Sequence, residues 1–100
     1  MDRTHALSLC EEYLDQVWCI EDMKNSGAVA LYGLEQHRLE LHNYLCDALE
    51  IDHVKSKDVL LYLDEKIGFD YSKMPSESDL KTYADKLLNL LIEEKRNGNI

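Results

Sequence analysis

The sequence predicts an all-α protein: four helices in a mostly antiparallel bundle, the third of them short. Three observations carry this. One Pro and four Gly in 100 residues leave few points at which a helix must break. Leu, Glu and Lys, all good helix formers, are abundant. Apolar residues recur at spacings of three and four through most of the chain, which is the helical period. A length of 100 residues fits one domain over 1–100.

The first helix is predicted over about His5–Lys24 with Thr4 as its cap. Ala6, Cys10, Tyr13, Leu14, Val17 and Ile20 share one face. Leu7 and Trp18 widen that face, and Cys19 points away from it. Asn25, Ser26 and Gly27 stop the helix. So short a connection makes the next helix an antiparallel neighbour. Residues whose numbers sum to about 51 then lie level, Cys10 with His42 and Leu14 with Arg38.

The second helix is predicted over Ala28–Ile51 as the longest, and the rest of the chain is organised around it. Leu31, Leu34, Leu41, Leu45 and Leu49 form its inner stripe. Asp52–Lys55 reads as a link. Ser56 or Asp58 caps a short third helix ended by Gly68, with Val59, Leu60, Leu63 and Ile67 facing inward. Leu61 and Tyr62 make that helix apolar nearly all round, which predicts either deep packing between neighbours, the favoured reading, or contact with a partner. Phe69–Pro75 is a loop whose aromatics and Met74 lie back on the core. Ser76 caps the last helix, Glu77–Arg96, through the run Ser76-Glu77-Ser78-Asp79. Asn97 and Gly98 end it, and the tail after them frays.

One feature exceeds what packing needs. Glu35, Arg38 and His42 fall inside the leucine stripe of the second helix at spacings of three and four, so neighbours touch. Ionisable groups inside an apolar stripe are costly unless paired. An edge ion pair between Glu35 and Arg38, a protein interface or a ligand pocket would each satisfy them. They are the candidate interaction or ligand cluster.

Composition narrows the function classes. Eleven Lys plus Arg against twenty Asp plus Glu give a net charge of −9, which disfavours direct contact with nucleic acid or an anionic membrane. No run is apolar and long enough to span a bilayer. The charged amino-terminal residues do not read as a secretory signal. Three cysteines, an odd number without a C-x-x-C pair, suit free thiols in a reducing, cytoplasmic compartment.

Chemistry is sparse. Cys10, His42 and Cys46 are the candidate metal ligands, the last two being four apart on one face, but a fourth ligand is missing and Arg38 stands one turn away. No metal or other cofactor is therefore expected. Glu50-Ile-Asp-His53 matches one Glu-x-x-His element, where a di-iron bundle needs two. Cys10 near His42 has the outline of a nucleophile and base, but Glu35 lies about 10 Å along the axis from His42, too far to orient it. No phosphate-binding glycine loop is present. No catalytic residue is assigned, and the balance leans away from an enzyme. The expected function is protein–protein interaction of a regulatory, adaptor or inhibitor type, with another protein or with a second copy as a homodimer. The alternative is a ligand- or metal-binding bundle built on the polar cluster.

Overall fold

The computed structural model describes residues 2–27 and 31–100. It is all-helical: α1 Arg3–Asn25, α2 Tyr32–Leu49, α3 His53–Lys66 and α4 Glu77–Arg96. The predicted fold class holds, and α3, with 14 residues, is the shortest helix. The predicted start of the second helix at Ala28 lies outside the described residues.

The organising element is α1 rather than α2. With 23 residues it is the longest helix as described, and it packs along both α2 and α4. Its Ala6, Leu9, Cys10, Tyr13, Leu14 and Ile20 are buried. The antiparallel register of α1 and α2 appears in one bond. Gln16 Nε2 donates to the Leu34 carbonyl at 2.9 Å, a pair whose numbers sum to within one of the expected value.

Helix ends follow the chemistry of orphan backbone groups. Asp2, not Thr4, caps α1: its carboxylate accepts from the Thr4 and His5 amides at 3.0 and 3.4 Å. A carboxylate there satisfies free N–H groups and also complements the positive helix end. Asp52 does the same for α3, accepting from Val54 and Lys55 at 2.8 and 2.9 Å. The expected link Asp52–Lys55 is therefore the start of a helix, and neither Ser56 nor Asp58 is a cap. Ser76 caps α4 as predicted, accepting from the Asp79 amide at 3.1 Å.

α2 stops at Leu49 because Glu50 turns left-handed, with φ 56°. The Glu50 amide donates to Asp47 and the Ile51 amide to Cys46, the paired closure that consumes terminal carbonyls. Lys95 of α4 donates to the Leu49 carbonyl at 2.7 Å, a cation on the negative end of α2. The carboxyl terminus is tied rather than frayed. The Gly98 amide donates to Lys95, the Asn99 amide to Glu94, and Ile100 packs against the core.

The core is leucine-rich: Leu14, Leu45, Leu60, Leu63, Leu87, Leu88 and Leu91 are wholly buried. Phe69 is buried too, with Tyr71 and Tyr83 edge-on at centroid distances of 5.0 Å. Met74, expected on the core, is instead exposed. The larger departure is α3. It packs against α2 and α4 by Ser56, Leu60, Leu63 and Asp64. Its other side stands open, with Val54 81%, Leu61 57% and Tyr62 58% exposed. Its apolar girth comes from an uncovered outer face, not from deep packing.

Candidate functional site

The structure divides the predicted cluster in two. Glu35 and Arg38 line a cleft, and His42 sinks into the core one turn further along α2. Glu35 and Arg38 do not form the edge ion pair; it is not among the ion pairs of the described residues.

His42 closes a polar triangle with Cys46 and Ser56. Its Nδ1 lies 3.1 Å from Asn43 Oδ1, an acceptor, so that nitrogen carries the proton. Nε2 then accepts from the Ser56 hydroxyl at 3.2 Å. The Cys46 thiol donates to the Ser56 oxygen at 3.0 Å. Every member is satisfied with the imidazole neutral. Burial, opposed by the Asn43 bond, lowers the His42 pKa from its ordinary 6.5. Burial likewise raises the Cys46 thiol. His42, Cys46 and Ser56 are each no more than 2% exposed, so a substrate has no approach. The triangle is a buried clasp between α2 and α3. Ser56→Ala removes the donor to Nε2 and is expected to cost roughly 1 kcal/mol in denaturant unfolding.

This clasp replaces the candidate metal set. His42 and Cys46 do meet, but Ser56 takes the third place. Cys10 forms a hydrogen bond with neither. Its thiol is pushed up to about 12 by burial, with Glu11 adding to the shift, and a protonated thiol is a poor ligand. Among the described residues no group of three His, Cys, Asp or Glu is gathered to hold a metal ion. The Glu50-x-x-His53 element is broken by the left-handed Glu50. His53 begins α3 and pairs with Asp47 at 2.7 Å.

The cleft, of about 160 Å³, lies between three helices. Tyr13, Val17 and Ile20 come from α1, Glu35 and Arg38 from α2, Leu61 and Asp64 from α3. Asp64 is its unusual member. It is 4% exposed, and its Oδ1 has no hydrogen-bond partner. Burial pushes its carboxyl up to about 7 against the pull of Arg38, with Glu65 adding to the rise. Tyr13 beside it is raised to about 12, by burial first and then by Asp64. The sequence reading missed Asp64 and the burial of Ser56. The signal was present: Ser56 and Asp64 stand four residues either side of Leu60, within the inward stripe of α3.

No described helix is long and apolar enough to cross a membrane. The sequence matches no protein-family model, and neither a curated protein nor a solved structure matches it.

Proposed function

We propose that this protein acts through protein–protein contact, in a regulatory or adaptor role, with the outward face of α3 as its contact surface. The supporting observation is the exposure of Val54, Leu61 and Tyr62 together on one side of one short helix. Large apolar groups gathered on a surface favour association, because covering them removes apolar area from water. Tyr is also enriched at contact centres. Leu61 joins this face to the cleft that holds Glu35 and Arg38, so part of the predicted cluster borders the surface. His42, being buried, has no part in contact. Free thiols at Cys10, Cys19 and Cys46 fit a reducing compartment, so we place this work in the cytoplasm.

The test is a photoreactive amino acid placed at Tyr62 and, as a control, at the exposed Glu93 of α4. Irradiation in cells is expected to give defined polypeptide adducts, identified by mass spectrometry, from position 62 and not from 93. Adducts from neither position, or equally from both, would contradict the reading.

A second reading has one specific support. The unpartnered Asp64 oxygen beside the cleft, with Glu35 and Arg38 on its walls, suits a small polar ligand. Such a ligand would shift the Leu61 and Asp64 amide resonances on titration and leave those of α4 in place.

A further inference from the structure

We infer that a second copy of this chain covers the outward face of α3, about a two-fold axis that runs along the helix. This rests on α3 being the contact surface. Charge selects the occupant. The acidic excess is concentrated on α1, with Glu11, Glu12, Asp15, Glu21 and Asp22 against Arg3 and Lys24, and on α2. A strongly basic partner would seat there. The exposed charges of α3 are instead mixed: Lys55, Lys57 and Lys66 with Asp58 and Glu65. Two copies meeting at α3 keep their acidic helices apart and present both signs to each other.

Helix geometry selects the axis. Val54 and Leu61, seven residues apart, define the midline of the exposed face. Lys57 and Asp58 lie about 50° to either side of that line at nearly the same height. An axis along α3 brings Lys57 of each copy against Asp58 of the other. Leu61 then packs on Leu61, and Val54 on Val54. An axis across α3 sets Lys57 against Lys57 and Asp58 against Asp58, which repel. The same geometry uses the cleft. Tyr62 lies on the Asp58 side, so its ring reaches the Lys57 side of the other copy. That side is where Leu61 and Asp64 border the cleft. The exposed tyrosine and the open cleft fill one another, each copy serving both roles, as an isologous contact requires.

The experiment uses three substituted chains, with native mass spectrometry and sedimentation equilibrium as readouts. All three changes are at exposed positions, and circular dichroism checks that helix content is kept. The wild-type chain is expected to dimerise, and Leu61→Glu to be monomeric. Lys57→Asp sets carboxylates against carboxylates, and Asp58→Lys sets ammonium groups against each other. Each alone should weaken dimerisation about tenfold. An equimolar mixture of these two chains should dimerise at least as well as wild type, as the mixed species, because every facing pair is again opposite in sign. Lys57→Asp and Asp58→Lys chains that each dimerise as well as wild type would overturn the axis, because an axis across α3 already sets like charges together in the wild type. A mixture no better than either chain alone would overturn the contact between these residues altogether. A wild-type chain that stays monomeric at every concentration would overturn self-association itself. In that case, adducts to a different polypeptide at position 62 would still uphold α3 as a contact surface. Absence of those adducts as well would sink both.

Discussion

Asp64→Asn is expected to stabilise the protein by roughly 2 kcal/mol at about pH 8. The Asp64 carboxyl is 4% exposed with an unpartnered oxygen, and its pKa rises from 3.8 to about 7. A shift of that size corresponds to about 4 kcal/mol held against the ionised form. The sign follows from proton counts. Between 3.8 and about 7 the folded chain holds a proton that the unfolded chain has lost. The stabilising contribution of the protonated carboxyl is complete below 3.8 and is lost as pH rises through about 7. Asparagine cannot ionise but still buries polar atoms, so it recovers about half of the penalty. Urea unfolding across this range, at one chain concentration, checks it. The wild type should lose stability with rising pH in that window relative to Asp64→Asn, and the two curves should run parallel above it.

The variant also exposes an opposite trend from His42. Its folded pKa lies below the ordinary 6.5, so below that value the unfolded chain takes up the proton first. The contribution of the neutral imidazole is complete above 6.5 and is lost as pH falls. In wild type the relief at Asp64 offsets this loss. In Asp64→Asn the decline on acidification should stand out.

Leu14→Ala should cost about 3 kcal/mol, whereas Leu61→Ala should change monomer stability by less than about 0.5 kcal/mol. Leu14 is wholly buried on α1, the helix that packs on both α2 and α4. Truncation there leaves a cavity which two neighbouring helices bound and cannot easily close. Leu61 is 57% exposed, so its removal opens no cavity. Chemical unfolding at concentrations low enough for a single chain separates the two effects. Equal losses would mean that α3 is packed on both sides and that α1 is not the organising helix.

The architecture was largely legible because its signals are local. Ser76, Gly68 and Gly98 mark helix ends by their own chemistry, and the leucine spacing marks the inward faces. The errors arose where competition decided. Asp52 and Ser56 both suit a cap, and only the backbone path determines that the carboxylate caps and the hydroxyl is buried. Glu50 takes a left-handed conformation that its residue type does not advertise. The candidate site was half legible. Spacing along one helix placed Glu35, Arg38 and His42 on a shared face, but a face is not a depth. Ser56, the one partner of His42 outside α2, and Asp64, the buried carboxyl on the cleft of Arg38, come from α3, and no periodicity within α2 encodes them.

The use of Val54, Leu61 and Tyr62 as a contact surface is the proposal on which the dimer rests. An isotope-filtered nuclear Overhauser experiment on a mixture of labelled and unlabelled chains tests it most directly. A dimer paired through this face is expected to show intermolecular contacts from the Leu61 and Val54 methyls to the same residues of the other copy, and from the Tyr62 ring to Leu61. Intermolecular contacts confined to α1 or α4, or none from α3 in a sample shown to be dimeric, would contradict it.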